Sequence, residues 1–527
     1  MHILGHMFNL VNQPERIALA RLVEFFSDRK HWYRSLWGIG TTLSMEELFE
    51  ACSVMRQGHL SEGSVKRIAS SLQKRVGVHP AFTAEEKQFL RDQVQQVPRA
   101  EGVAHFAIRE LSERVSIDYL ARWSAAVARQ DFRAEHFARH VGAHLLDTGF
   151  SSQHLRAVIA DKNNAPEPVT LAELCEELQG IVRTNVPRQF EVLLAFRIAP
   201  WARSGRPDVW LTGAAITGWL SENGFDTTGV RAAAAMVITV RARDEIGAAE
   251  AARNEADRYS ARALLATGQP LHYLQNLWVR GSASPASMTA SARGVEVREL
   301  HREARVFATD VSQDVDAALE LLAHLEGSSP PAAVAGGWGA IEGLLADPND
   351  RASAADNLAT LVTCSFPRAE LTALSHRVER ILPDEFAELS GVDVNRERCR
   401  ILATMILEER IPALPSVADQ AAVARMKKLL ANPRTELQTI KDMIGESFHR
   451  LYRQRNLILH GGRLDSVALT ASLRTVAKLA GAGMDRITHG HYVQGLRPLE
   501  LVAKANLALA VVSRDAPLGC IDLLEAN

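Results

Sequence analysis

A chain of 527 residues exceeds the roughly 250 to 300 at which a single hydrophobic core stops growing, which excludes one compact domain and points to two to four units. With 47% hydrophobic and 23% charged residues the chain can bury real cores, which excludes global disorder. The 60 Lys and Arg nearly balance the 62 Asp and Glu, for a net charge of -2, so the chain is not a histone-like nucleic-acid binder and any nucleic-acid site has to be a local patch.

The opening segment MHILGHMFNLVNQPER lacks a basic stretch followed by an apolar core, and no uncharged apolar run approaches roughly 18 residues. A cytoplasmic protein with no membrane partner is expected. The five cysteines (Cys52, Cys175, Cys364, Cys399 and Cys520) are odd in number and widely spaced without a CxxC, as reduced thiols would be. Apolar spacing of three and four predicts helices over Arg16 to Phe26, Met45 to Met55 and Glu85 to Val97. His136, His140 and His144 share one helical face, with His154 beyond. Two histidines at this spacing can bind zinc, but a third lies about 12 Å from the first along the axis, so a structural or pH-sensitive face is the preferred reading.

NNAPEP, residues 163 to 168, cannot continue a helix and marks a boundary near 165. MVITVR, residues 236 to 241, is β-branched and predicts a strand, followed by a helix opening at Asp244 and Glu245. The small, polar stretch from Gly281 to Gly294 reads as a loop, and GSSPP at 327 to 331 separates a helix over Val315 to Leu325 from the next. WGAIEGLL, residues 338 to 345, places Trp338, Ile341, Leu344 and Leu345 on one stripe with Glu342 beside it. A long helix is predicted from about Arg434 to Leu459, with Leu437, Ile440, Ile444, Phe448 and Leu451 inward and Gly461-Gly462 as its stop. The expected partition is a helical N-terminal region over 1 to 165, a middle region with some β over 166 to 310, a helical bundle over 311 to 490 and an extension over 491 to 527. The fold class is thus mainly α with minor β content.

The chemistry concentrates in FHRLYRQRNLILHGGR, residues 448 to 463, where an apolar helix suddenly presents Arg450, Arg453, Arg455, Asn456 and His460 before the double glycine. Core packing needs none of these. The run Arg455, Asn456, three apolar residues, His460 and Gly461 resembles the RNase motif of the HEPN superfamily: Arg, four to six residues, His. WGAIEGLL is similar to the acidic first helix of its Apea-like branch, with Glu342 at the acidic position. SAADNLATLVTC, residues 353 to 364, and Asp465 to Leu479 fit the second helix and the one that packs after the motif. The resemblance covers about 150 of the 527 residues.

What the resemblance implies is a metal-free endoribonuclease without cofactor, acting on RNA as a homodimer whose two motif helices form a composite site. The setting it implies is toxin-like abortive infection against phage, with an N-terminal region that answers a phage-derived or antitoxin-like trigger. Arg455, Asn456, His460 and Glu342 are then the catalytic candidates, and Arg450, Arg453 and Arg463 candidates for RNA contact. Such chemistry needs a base for the ribose 2′-OH, an acid for the leaving oxygen and a cation over the phosphorane, roles suited to imidazole and guanidinium. Helix arithmetic leaves the choice of arginine open: at about 100° per residue, Arg453 lies roughly 20° from His460 and Arg455 roughly 140° away. Asn456, about 40° away, can hydrogen-bond the His460 ring and orient it. Arginines at a helix end can also simply complement its dipole. A catalytically silent bundle for RNA binding or dimerisation is the alternative, and an incidental nuclease-like helix in a structural protein a third. No Walker A loop, dinucleotide fingerprint or GxSxG elbow occurs.

Overall fold

A computed structural model describes residues 13–27, 30–163, 170–200, 209–289, 292–308 and 312–525. Most of the expected linker at 163 to 168 and much of the opening segment lie outside the described residues. The described chain is mainly α-helical with one small antiparallel sheet, and none of its helices is long and apolar enough to cross a membrane. It divides into two compact units: residues 1–144, 161–176 and 293–527, and residues 145–160 and 177–292. The expected boundaries at 165, 310 and 490 are not where it divides. The N-terminal helices pack with the C-terminal bundle, so the larger unit is discontinuous in sequence.

The N-terminal helices are α1 (Gln13–Phe25), α2 (Thr41–Arg56), α3 (Glu62–Gly77), α4 (Ala84–Val94), α5 (Val103–Ala128) and α6 (Ala134–Asp147), followed by α7 (Ser152–Asn163) and α8 (Leu171–Thr184). The three helices expected from spacing coincide with α1, α2 and α4, whose N-terminus Thr83 and Glu86 close with a capping box.

In the smaller unit, β1 (Arg188–Phe196), β2 (Trp210–Leu211), β3 (Ala234–Ala242), β4 (Tyr273–Val279) and β5 (Ala286–Ser287) form a sheet in the order β2-β3-β1-β4-β5. The expected MVITVR strand is the middle of β3, and the alanines before it partly belong to the strand. Helix α9 (Ala214–Glu222) covers one face through Ile216 and Leu220. Helix α10 (Glu245–Thr267), capped by Asp244, lays Ala248, Ala249, Ala252 and Ala256 on the other. Burial on both faces explains why β1 reads FEVLLAF rather than alternating.

The larger unit continues with α11 (Glu299–Arg302), α12 (Gln313–Gly327), α13 (Pro330–Leu345), α14 (Ser353–Ile381), α15 (Asn395–Leu407), α16 (Val417–Ala431), α17 (Pro433–Leu459), α18 (Leu469–Tyr492) and α19 (Pro498–Val511). Helix α17 is the axis of this bundle, packed by α13, α14, α16 and α18. Its Pro433 stands at the first helical position, where no intrahelical N–H is lost, and Leu437, Ile444, Phe448 and Leu451 enter one core with Trp338, Leu358 and Val476. The helix after the motif begins at Leu469 rather than Asp465. Close approach sets the α14–α18 spacing: a Cβ on Gly483 would overlap the Leu358 side chain.

Polar ties fasten the N-terminal helices to this bundle. Arg34 donates to Glu370 of α14 at 2.6 and 2.8 Å, and Arg425 of α16 binds the second oxygen of that carboxylate at 3.0 Å. The Ser447 hydroxyl on α17 donates to the Trp37 carbonyl. All five cysteines are buried, unpaired thiols.

Candidate functional site

Helix α17 carries its apolar stripe inward as far as Leu457 and then releases the chain. The last turn is loosened: the His460 amide reaches the Asn456 carbonyl at 3.0 Å, and the Gly461 amide is shared between the Leu457 carbonyl at 3.1 Å and that of Asn456, five residues back, at 3.3 Å. Gly462 then turns at φ +61° and the Arg463 amide returns to the Leu457 carbonyl at 3.0 Å. This distortion swings the exposed His460 round the helix end.

Arg455 Nη1 therefore donates to His460 Nε2 at 2.8 Å, although an ideal helix would hold the two residues apart. The same Nη1 donates to Asn456 Oδ1 at 3.1 Å. Asn456 thus holds the guanidinium of Arg455; the expected hydrogen bond from Asn456 to the His460 ring is replaced by this one. A guanidinium has only donors, so this contact is a hydrogen bond when the His460 nitrogen facing it carries no proton and acts as the acceptor.

The other arginines go elsewhere. Arg450 and Arg453 are 1% and 2% exposed and converge on Glu47 of α2, itself 4% exposed. Arg453 donates to Glu47 Oε1 at 2.8 and 3.1 Å and Arg450 to Oε2 at 3.1 Å. Burial by itself would raise the Glu47 pKa, but the two guanidinium groups outweigh it and hold the carboxyl at about 2. The structure so corrects the expectation that Arg450 and Arg453 face RNA, and it takes Arg453 away from His460: both are turned inward as buried structural cations. Arg463 is half-buried, at 3.1 Å from Glu50 and 3.2 Å from Asp465, beside a cavity of about 410 Å³ that Glu46, Glu50 and Glu113 make acidic. Its charge is locally matched rather than displayed.

Glu342 of α13 accepts from its own helix neighbour Trp338 and pairs with Arg351 at 3.1 Å. The Trp338 ring packs on Tyr452 of α17 with centroids 4.9 Å apart. Among the described residues no hydrogen bond joins Glu342 to Arg455, Asn456 or His460, so its link to the pair runs through packing.

In comparisons with known proteins, no family model matches the chain, and neither a curated protein nor a solved structure gives a significant match.

Two arrangements near the motif were not legible in the sequence. His449, buried on α17, places Nε2 at 2.9 Å from Asp356 of α14, which also has Arg67 at 3.5 Å. Partial burial raises the Asp356 pKa, but the His449 hydrogen bond and charge, with Arg67 and Lys441, bring it below its ordinary value. A histidine facing an aspartate a hundred residues away leaves no local signature. His59, in the turn between α2 and α3, lies against the motif loop: a Cβ on Gly461 would meet its ring at 3.4 Å.

The histidine face of α6 joins a cluster from other helices. His79 accepts from the Ala81 amide at Nδ1 (3.2 Å) and faces Tyr119 Oη through Nε2 at 2.9 Å, so both its nitrogens are used. Its ring lies 4.4 Å from that of His140, which lies 4.2 Å from that of His136. Among the described residues no group of three or more His, Cys, Asp or Glu is placed to hold a metal ion. Burial comes first among the causes that keep these rings neutral: the pKa of His136 falls to about 4, and those of His79 and His140 well below the ordinary value.

Proposed function

We propose that the chain is a metal-independent endoribonuclease of the HEPN kind, cleaving tRNA or mRNA through attack of the ribose 2′-OH on the adjoining phosphodiester. The observation that carries this reading is the exposed Arg455–His460 pair, a guanidinium and an imidazole 2.8 Å apart at a helix end. A phosphate entering here would take Arg455 from His460, with two oxygens meeting the planar fork of the guanidinium. The freed Nε2 lone pair of His460 is then the base for the 2′-OH proton. The 2′-O–P bond forms, the P–O5′ bond breaks and the products are a 2′,3′-cyclic phosphate and a 5′-OH end. The 5′-oxygen needs a proton from a second acid, which a homodimer would supply by bringing to the same phosphate a second His460 that starts in its protonated, imidazolium form; the two histidines then end with their protonation states exchanged. Asn456 is a positioning residue acting through Arg455.

A cellular RNase left unrestrained would kill its host, so the reading includes repression at rest and a phage-derived or antitoxin-like trigger, as in toxin-like abortive infection. The Glu47 clamp on Arg450 and Arg453, which ties N-terminal helix α2 to the motif helix within two turns of the pair, is the connection through which such a trigger would reach it.

The test is RNA cleavage by purified full-length chain beside His460→Ala, with chelator present and dimerisation measured separately. Cleavage by the wild type, lost in His460→Ala and absent at a 2′-deoxy linkage, is the expected result. Equal cleavage by the two proteins, or cleavage that chelator abolishes and magnesium restores, overturns it. The engagement of Arg455 with Asn456 and His460 inside one chain favours a second reading, a silent RNA-binding or dimerisation module. RNA retention without cleavage by the wild-type dimer would establish that alternative.

A further inference from the structure

The larger unit holds a second cavity, of about 720 Å³, that shares no residue with the Arg455–His460 group. Its floor is α18, and its walls are α14, residues 294 to 302 and the C-terminal turn at 521 to 525. The volume is that of a small-molecule site.

Its charge is opposite in sign to that of the whole chain. Lys30, Arg298, Arg302, Arg368, Lys478 and Arg486 line it, against only Glu296, Asp485 and Glu525. Each of these carboxylates already has its cation. Glu296 is 2.7 Å from Arg298, Asp485 is 3.0 Å from Arg302 and also accepts the Glu299 amide, and Glu525 is bound by Arg368. Arg486 is left under-compensated. Its nearest carboxylate oxygen, on Glu525, is 3.8 Å away, and its buried Nε has no hydrogen-bond partner among the described residues. Burial, with Arg368 adding to it, presses its guanidinium below the ordinary range even after the pull of Glu525. A largely buried cation short of its counter-charge is unfavourable, and an entering anion relieves it.

The cavity also offers a fixed aromatic surface. Trp32 lines it and is held edge-on by Tyr33 and Phe366, at centroid distances of 5.6 and 6.4 Å. A ligand matching both features carries phosphates and a flat ring. We propose that this cavity binds a nucleotide, with its phosphates on Arg486, Lys478 and Arg298 and its base against Trp32. The site stands independently of RNA cleavage, because none of its residues belongs to the Arg455–His460 group.

The experiment is calorimetric titration and thermal shift of the full-length chain with ATP, GTP, CTP and UTP, beside tripolyphosphate and adenosine. Saturable binding of at least one nucleotide is expected, about tenfold or more tighter than either tripolyphosphate or adenosine. Arg486→Met keeps the volume without the charge, and Arg298→Glu reverses a charge at the exposed mouth where folding is not at stake; each should weaken binding about tenfold or more. Trp32→Leu should weaken the nucleotide and leave tripolyphosphate unchanged. No saturable binding of any of the four nucleotides overturns the proposal. Tripolyphosphate binding as tightly as the nucleotides, or wild-type affinity in both Arg486→Met and Arg298→Glu, also overturns it.

Discussion

Replacing Glu47 by Gln removes one negative charge from between two buried guanidinium groups while keeping the shape of the side chain. The Glu47 pKa stands at about 2, against 4.5 for an ordinary glutamate, so its ionisation stabilises the fold by about 3 kcal/mol at neutral pH. Breaking one partner out of a buried ion pair gives a similar figure, about 3 to 5 kcal/mol, because the remaining charge is stranded. Two arguments of different origin therefore agree on about 3 kcal/mol for Glu47→Gln. The unfolding entropy of a cooperative unit of roughly 400 residues converts this to a fall of about 4 °C in Tm. The assay is thermal unfolding followed by circular dichroism at pH 7, repeated toward acid. A folded-state pKa below the unfolded one means the stabilisation is complete above about 4.5 and is lost as the pH falls toward about 2. The gap between wild type and variant should close over that window. A further variant with Glu47→Gln, Arg450→Met and Arg453→Met, which strands no charge, should recover most of the loss. A Tm for Glu47→Gln within about 1 °C of wild type would refute the reasoning, since it would mean that neither arginine depends on this carboxylate.

Arg455→Lys should lose cleavage as fully as Arg455→Ala, because a single ammonium cannot hold two phosphate oxygens in a plane; an RNA cleavage assay with near wild-type turnover in the lysine variant would reduce Arg455 to a helix-end charge. Arg453→Ala should instead fail in stability, by about 2 to 3 kcal/mol in urea unfolding, since it takes two of the three hydrogen bonds that hold the buried Glu47 carboxylate and leaves only that of Arg450. The folded-state pKa values of His79, His136 and His140 lie below the unfolded value, so stability is full above about pH 6.5 and falls as the pH drops beneath it, by at most about 4 kcal/mol per pH unit for the three together. Urea midpoints unchanged between pH 7 and 5 would contradict this. Burial pushes the Cys52 thiol up to about 11 and those of Cys364 and Cys520 up to about 12, so a thiol reagent at pH 8 should label these cysteines only on unfolding; rapid labelling of the native protein would show open paths to them.

The elements were legible where the signal is local. Spacing of three and four located α1, α2, α4 and α17, the β-branched MVITVR located β3, and Gly461-Gly462 marked the end of α17, because helix period, strand propensity and the glycine stop act over a few residues. The approach of Arg455 to His460 was half legible: the residues stood out, but an ideal helix favoured Arg453, and only the loosened last turn reverses that order. The destination of Arg450 and Arg453 was not legible, since it depends on a glutamate more than 400 positions earlier. The same reach defeated the domain boundaries. Composition marks linkers, but it cannot show that residues before a linker pack with residues some 300 places after it.

The separation between Glu47 and Arg453, 406 residues, also fixes an order of events on the ribosome. At about 5 to 20 residues per second, α2 waits roughly 20 to 80 s for the helix that neutralises its buried carboxylate. The sheet of the smaller unit has all its strands by residue 287 and needs no such wait. A chain cut short before Pro433 thus carries every strand of the sheet but leaves Glu47 without its two guanidinium partners. In such a fragment α2 still has α3 and α5 to pack on, but its buried carboxylate stays uncompensated until the helix bearing Arg455 and His460 has been made. Synthesis of the motif helix and neutralisation of the Glu47 carboxylate are thereby one event.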